Sequence, residues 1–331
     1  MQAKLTYTQE ADFRRERDFG AKVGATFEFV VAQFRPLFKC LVYFVLPGAL
    51  LAGIGMGLFV SNVLSMIPLA GPSAHGGRIT QTFPNNPFTI TSMLGIGLAT
   101  VGFMAAFLLL SSTVYAFVRV RINTPAQEAV KPAEVWAFVW RRLGRVVGAM
   151  LVLSLLMLVS GGLLMGCLAL LGPGFVFLIV FPAFWAAICL TLYFPILWME
   201  DDGILAALRR SFYLIKGKWW SSLGLYMIMS FITGVMNYLF LIPFYGLMVV
   251  RTMLKLPGFD SEILSVAAMS IYALGWIFTA VLPLVAMLFQ YFNLVERKDG
   301  IGLRQLVDSL GQTPAPQVSN HTFRPDEEGE Y

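Results

Sequence analysis

Six long stretches without a single Asp, Glu, Lys or Arg constrain this chain more than any other feature. A transmembrane helix needs about 20 consecutive apolar residues, and each stretch is at least that long. Backbone inside a bilayer must satisfy its own hydrogen bonds, which favours helices for segments of this length. The sequence therefore predicts an all-α integral membrane protein with six transmembrane helices, at about residues 40–60, 89–118, 146–171, 173–199, 223–250 and 263–295.

The composition agrees with this class. Of the 331 residues, 57% are hydrophobic and 13% are charged, about half the charged share of a typical soluble domain. We expect a cytoplasmic N-terminal segment with an amphipathic helix (residues 1–39), a six-span membrane domain (40–295) and a cytoplasmic tail (296–331). The tail is predicted to be disordered from about residue 312, and residues 61–88 are predicted to form an irregular outer loop.

The basic residues predict the orientation of the spans. All 24 Lys and Arg residues except Arg78, Arg251 and Lys255 fall in the N-terminal segment, in the connections after the second and fourth spans, or in the tail. Basic segments are retained on the cytoplasmic side of a membrane. Both termini are therefore predicted to be cytoplasmic, which requires an even number of spans and agrees with six.

Two of the basic connections carry apolar residues at helical spacing, with cations on the other face. Such helices lie in the membrane interface, with their cations toward lipid headgroups. The apolar stripes are Trp136, Trp140, Leu143 and Val147, and Ile204, Leu208, Phe212, Ile215 and Trp219. The candidate lipid headgroup contacts are Arg35, Lys39, Arg141, Arg142, Arg145, Arg209, Arg210, Lys216 and Lys218. The predicted interfacial anchors are Trp136, Trp140, Trp198, Trp219 and Trp220.

An internal repeat is also indicated. Residues Gly20, Phe29 and Arg35 align without a gap with Gly203, Phe212 and Lys218, and the connection between them contributes Val135 and Arg141 at the last two positions. This alignment favours three repeats of an interfacial helix followed by a two-span hairpin. The alternative is that any basic helix before a hydrophobic span resembles another, and the apolar stripes of the first and third units do not coincide.

The spans contain little material for chemistry. Ionisable residues inside a membrane usually mark functional sites, and none of the six stretches contains an acidic or basic one. The two histidines, His75 and His321, fall in the outer loop and the tail, and Cys40, Cys167 and Cys189 lack metal-binding spacing. We therefore expect no catalytic residue, no metal site and no cofactor, and predict that the chain is not an enzyme.

Polar residues and prolines within the spans keep a second function open. Asn237, Pro243, Pro283 and Gln290 are candidate cavity residues of a transporter or flippase for an uncharged or amphipathic substrate, because broken helices form binding sites in many transporters. Interhelical hydrogen bonds and tolerated kinks are the more common uses of such residues.

Two glycine pairs have the GxxxG spacing that lets helices approach closely. They are Gly53 with Gly57 and Gly162 with Gly166. We expect both pairs to pack neighbouring helices of the same chain.

Acidic residues follow the fourth predicted span. Asp201 or Asp202 is predicted to cap the amphipathic helix that begins just after them, where the helix dipole favours negative charge. The alternative is a site for a cation or for a headgroup amine.

Residues 194–203 (FPILWMEDDG), followed by 206–212 (AALRRSF) and 216–220 (KGKWW), resemble a segment shared by bacterial multi-pass membrane proteins of poorly known function. Those proteins are similar to the membrane domain that precedes some glycerophosphoryl diester phosphodiesterases. The resemblance implies a bacterial inner-membrane location. It carries over no activity, because the activity of such enzymes belongs to a separate soluble barrel domain.

These observations favour a non-enzymatic inner-membrane protein that organises lipid or a membrane complex through its basic helices. The expected partners are membrane lipids with anionic headgroups and other membrane proteins, and not nucleic acid. The transporter or flippase remains the alternative.

Overall fold

The protein is described by a computed structural model that covers residues 7, 10–65, 89–125, 128–172, 177–254, 259, 261–301 and 304. Within these ranges the chain is helical and has no strand. Most of the predicted outer loop and the tail beyond residue 304 lie outside the described residues. The α-helices are α1 (Glu10–Phe13), α2 (Phe19–Ala32), α3 (Phe34–Phe44), α4 (Leu46–Ser65), α5 (Ile90–Asn123), α6 (Pro132–Leu171), α7 (Phe177–Leu190), α8 (Tyr193–Met199), α9 (Ile204–Ile215), α10 (Trp219–Val249), α11 (Glu262–Thr279) and α12 (Val281–Asp299).

Six segments of the described chain are long and apolar enough to cross a membrane. They are Leu46–Leu64, Ile90–Asn123, Pro132–Leu170, Phe177–Met199, Trp219–Val249 and Glu262–Asp299. The prediction of an all-α multi-pass membrane protein is therefore confirmed.

Prolines explain where the helices break. A proline has no N–H for the carbonyl four residues earlier, and its ring clashes with that carbonyl, so a helix ends shortly before it. Four helix boundaries lie two to four residues before a proline: Gln33 before Pro36, Val45 before Pro47, Thr191–Leu192 before Pro195, and Ala280 before Pro283. As a result the first span begins at Leu46 and not at Cys40, and the fourth and sixth spans each consist of two helices.

The helix α6 departs from the predicted organisation. It runs for 40 residues without interruption, so the amphipathic segment around Trp136 continues directly into the third span. The separate interfacial helix predicted for the second repeat unit is therefore wrong. The reason is that no proline follows Pro132 within α6, whereas α9 is separated from α10 by Gly217, which has a positive φ of 83°.

The apolar stripe of α9 packs in part against the protein core. Ile204, Leu208 and Phe212 are half-buried against the core, and Ile215 is buried. Phe212 lies with its ring 5.7 Å from that of Trp185 on α7, and Ile204 packs against Gly148 on α6. In α6, by contrast, the predicted stripe is largely exposed along its length, from Trp136 through Trp140 to Val147.

Small residues bring α4 into close contact with α5 and α11. A Cβ atom on Gly55 would lie 2.2 Å from the backbone nitrogen of Ala99, and one on Gly57 would lie 2.4 Å from a backbone atom of α11. The packing role predicted for Gly53 and Gly57 is confirmed, since a Cβ atom on Gly53 would also meet α11 backbone, at 2.7 Å. Gly162 and Gly166 differ, because a Cβ atom on either would meet nothing within 4 Å among the described residues.

The centre of the bundle is α12. Residues 285–295 of this helix are all buried, and α2, α5, α8, α9, α10 and α11 contact it. A helix that is buried on every side organises the packing of its neighbours. Its last turns lie beside the end of α8 and beside α9, since Tyr291 donates to Glu200 and Asp299 pairs with Arg210, and we refer to this end of the molecule as the basic end.

Candidate functional site

Acidic residues after α8 pair with arginines at the basic end. Arg210 Nε lies 3.2 Å from Glu200 Oε2, and the same guanidinium group is paired with Asp299. Asp201 is paired with Arg142 and lies 3.9 Å from Arg119. We call this set of ion pairs the arginine joint; it consists of Glu200, Asp201, Asp299, Arg119, Arg142 and Arg210.

The carboxylates do not cap α9 as predicted. The N-cap residue of α9 is Gly203, and no side chain accepts a hydrogen bond there. The predicted cap is wrong because Asp201 is held by Arg142, whose hydrogen bond lowers the pKa of that carboxyl group below its usual value. Asp201 therefore stays ionised near neutral pH.

The arginines also stabilise the end of α8. Arg119 Nη1 donates to the carbonyl of Met199 at 2.5 Å, and Arg142 Nη1 lies 3.3 Å from the carbonyl of Trp198. The last carbonyls of a helix lack intrahelical partners and carry partial negative charge. Cations from α5 and α6 therefore satisfy this helix terminus and fix α8 against both helices.

The arginine joint connects two sequence-distant segments that resemble each other. Tyr291 donates from its hydroxyl group to Glu200 at 3.0 Å, and Arg210 bridges Glu200 to Asp299. Residues 193–203 and 291–300 share a Tyr-Phe pair followed by Asp-Gly, and the structure brings these two segments into contact.

A buried lysine was not identified from the sequence. Lys22 on α2 is 2% exposed and donates to Gln290 Oε1 at 2.7 Å and to Ser221 Oγ at 3.2 Å. Gln290 in turn donates to Ser222 Oγ at 2.9 Å. Burial lowers the pKa of Lys22 to about 8. This cluster joins α2 to α10 and α12, and no pattern around Lys22 distinguishes it from the exposed cations of the N-terminal segment.

The residues predicted to line a cavity do not come together. Gln290 belongs to the Lys22 cluster, and Pro243 is exposed within the continuous helix α10. Asn237 accepts a hydrogen bond of 2.8 Å from the hydroxyl group of Thr279, which ends α11. The prediction of one cavity formed by these residues is therefore wrong, and Asn237 has the interhelical role that such residues more commonly have.

Pro283 does line a cavity, of about 380 Å³. Its walls are almost entirely apolar and include residues from both broken spans: Leu190, Thr191 and Phe194 beside the first break, and Ala280, Pro283 and Leu284 beside the second. The carbonyl of Thr279, which Pro283 deprives of a donor, accepts a hydrogen bond of 3.3 Å from Thr233 Oγ1. The carbonyl left without a donor at the break in the sixth span thus accepts a hydrogen bond from α10.

The predicted headgroup contacts fall into two groups. Arg142 and Arg210 belong to the arginine joint, and Arg145 lies beside it, 3.5 Å from the carbonyl of Asp201. The remaining six are exposed, and none of them forms an ion pair with a carboxylate in the part of the chain that the structure describes. We call these six the basic collar: Arg35, Lys39, Arg141, Arg209, Lys216 and Lys218.

The predicted aromatic anchors are likewise divided. Trp136, Trp140 and Trp220 are exposed, and Trp220 has 78% of its surface free. Trp219 is half-buried and donates its indole N–H to the carbonyl of Trp185. Trp198 is completely buried, so its predicted contact with the membrane interface is wrong. Its position at the end of a predicted span gave no sign that its ring would pack on Phe138 of α6.

The fold and the site define the class of this protein, which is an all-α membrane protein with six spans, two of them broken, and a charged joint at one end. Comparison with protein-family models, with curated proteins and with solved structures finds no match for this chain. Within the described residues no group of three or more His, Cys, Asp and Glu side chains is placed to hold a metal ion.

Proposed function

We propose that this chain is a non-enzymatic integral membrane protein that binds anionic lipid headgroups and thereby organises lipid or a membrane complex. The observation that carries the proposal is the difference between its two sets of cations. The arginine joint is neutralised by carboxylates of the chain, whereas the basic collar faces outward without them. Each Lys or Arg near an anionic membrane surface contributes about 1 kcal/mol to binding.

Exposed aromatic side chains accompany the collar. Trp136 and Trp140 border a shallow groove together with Arg141, and the exposed Trp220 follows Lys218 by two residues. Tryptophan favours the headgroup level of a bilayer. Cations and indole rings at the same end of the bundle support an interface with phospholipid, and other membrane proteins are the second class of partner that we propose.

The proposed location is a bacterial inner membrane, with both termini in the cytoplasm. The excess of basic residues at one end supports this orientation through the retention of basic segments inside the cell. The resemblance of residues 194–220 to bacterial multi-pass proteins supports the bacterial origin. The proposed lack of a catalytic role is supported by the ion pairs of the acidic residues. Glu200, Asp201 and Asp299 are each paired with an arginine of the joint.

Lipid enrichment in nanodiscs tests the proposal. The protein is reconstituted in equal amounts of phosphatidylglycerol and phosphatidylcholine, and the lipids nearest the protein are quantified. The variant Arg141→Gln/Arg209→Gln/Lys216→Gln/Lys218→Gln is expected to lose a measurable part of the enrichment in phosphatidylglycerol, because it neutralises four of the six cations of the collar. The control Arg141→Lys/Arg209→Lys/Lys216→Arg/Lys218→Arg keeps the charge and is expected to keep the enrichment. Equal lipid composition around all three proteins would refute lipid binding by the collar.

The apolar cavity favours a second candidate, a transporter or flippase for an amphipathic substrate. Both broken spans contribute to its wall, as discontinuous helices do at substrate sites of transporters. In proteoliposomes that hold a fluorescent phospholipid, this function predicts lipid exchange between leaflets that Ala187→Leu slows, because Ala187 lines the cavity. Ala183→Leu, one turn earlier in α7 at an exposed position outside the cavity lining, is the matched control. No exchange above that of empty liposomes would exclude this candidate.

A further inference from the structure

We propose that a groove between the start of α3 and the start of α6 binds the phosphate group of an anionic phospholipid. The groove has a volume of about 560 Å³ and is lined by Arg35, Lys39, Lys131 and Glu128, together with neighbouring backbone and two prolines. This inference rests on the lipid binding proposed above and assigns it a defined site. It adds Lys131, which the sequence pattern did not single out.

Charge favours an anion in this groove. Three cations and one carboxylate line it. None of the three cations is within ion-pair distance of a carboxylate among the residues that the structure describes, in contrast to the arginines of the joint. A phosphodiester offers two non-bridging oxygens that share one negative charge, which Arg binds in a bidentate fashion and Lys binds as a point charge.

One wall of the groove, formed by residues 128–132, is held by a buried arginine. Arg121 is 3% exposed, and its guanidinium group donates to the carbonyl of Glu128 at 2.5 Å and to that of Pro125 at 3.4 Å. Val130 is buried beneath the groove. Lys131 is the N-cap residue of α6, and no side chain caps this helix. The partial positive charge of the helix start adds to that of the three cations, and Glu134 in the first turn of α6 partly offsets it.

The surroundings of the groove indicate a lipid as the source of the phosphate. Arg35, Lys39 and Tyr43 are exposed and follow one another at intervals of four residues, so they share one face of α3. On α6, Trp136 lies one turn beyond the groove, and its ring stacks on that of Phe44 at 4.9 Å. On both helices the cations are thus followed by aromatic side chains, which favour the interfacial region of a bilayer.

Native mass spectrometry of the protein in detergent, titrated with phosphatidylglycerol, tests the site through the affinity of the first bound lipid. The variant Arg35→Gln/Lys39→Gln/Lys131→Gln is expected to weaken this affinity by at least about tenfold. The matched variant Arg209→Gln/Lys216→Gln/Lys218→Gln removes the same charge from the other side of the collar and is expected to stay within about twofold of wild type. Glycerol 1-phosphate is added as the soluble competitor.

The outcomes separate this inference from the function on which it rests. Equal affinities in the two triple variants, with phosphatidylglycerol still preferred over phosphatidylcholine, would overturn the groove and leave the collar intact. No preference in the wild-type protein would overturn both. Displacement of the lipid by millimolar glycerol 1-phosphate would assign the groove to a soluble phosphate. If the triple variant is not recovered folded, Lys39→Gln alone carries the test, since this side chain is exposed.

Discussion

Gly55 provides the sharpest test of how the bundle is packed. A methyl group at this position would lie 2.2 Å from the backbone nitrogen of Ala99 and 2.6 Å from the backbone oxygen of Gly95. An ordinary contact needs about 3.4 Å, so α4 and α5 must separate locally by roughly 1 Å to admit it. Backbone atoms cannot move aside as a side chain can, and the variant Gly55→Ala must therefore loosen the whole contact.

The magnitude follows from comparison with a matched position. Overpacking a tight contact costs about 1–3 kcal/mol. The greater helix propensity of alanine offsets up to about 1 kcal/mol of this, but it does so equally at any helical glycine. Gly162→Ala on α6 gains the same propensity without a clash, because nothing lies within 4 Å of its added methyl group in the described structure. The free energies of unfolding of the two variants should therefore differ by about 2 kcal/mol, with Gly55→Ala the less stable.

Unfolding by sodium dodecyl sulfate in mixed micelles, followed by far-ultraviolet circular dichroism, measures this difference. The titration is carried out at two protein concentrations, so that any self-association through α6 is detected separately. Values for Gly55→Ala and Gly162→Ala that agree within about 0.5 kcal/mol would refute the close approach of α4 and α5.

Three further predictions concern the polar contacts. Lys22 has a pKa of about 8 in the folded protein against 10.5 ordinarily, so the cost of its buried charge is present in full below pH 8. Between these two pKa values the unfolded chain binds more protons than the folded protein, so the free energy of unfolding should rise with pH, by up to about 3 kcal/mol. Lys22→Met should abolish this rise between pH 7 and pH 10 in the same assay. Thr233→Val removes the hydrogen-bond donor at the break in the sixth span and should lower the free energy of unfolding by about 1 kcal/mol. Thr100→Val removes only a hydrogen bond within its own helix and should lower it by less in the same titration. Glu200→Gln should lower the free energy of unfolding by about 2 kcal/mol in thermal unfolding, because Arg210 and Tyr291 each lose a carboxylate partner. The control Asp202→Asn, at an exposed position, should change it by less than about 0.5 kcal/mol. Equal effects of the members of either pair, or a Lys22→Met variant that keeps the alkaline rise, would contradict these assignments.

The spans could be predicted because their signal is local. Twenty apolar residues without a charge have one structural solution in a bilayer, and the four helix breaks follow from prolines that are visible in the sequence. What the sequence did not predict was which prolines break a helix. Pro243 lies inside a continuous helix, whereas the break before Pro283 is satisfied by Thr233, 50 residues away in the chain.

The site was predicted less well because its contacts are distant in sequence. Arg142 and Arg141 are neighbours with the same chemistry, yet one pairs with Asp201 and the other faces outward. Only the packing of α6 on α8 decides between them. The same holds for Lys22, whose hydrogen-bond partner Gln290 lies at the far end of the chain.

The length of α6 has a mechanical consequence. Forty helical residues form a rod of about 60 Å, and a rod of that length would need a tilt of about 60° to fit a hydrocarbon core of about 30 Å. Spanning helices seldom tilt beyond about 40°, so the first turns of α6 project past the hydrocarbon. Those turns carry Arg142, which is clamped to Asp201. A change in bilayer thickness that altered the tilt of α6 would therefore displace Arg142, and with it the ion pair to Asp201 at the charged end of the molecule.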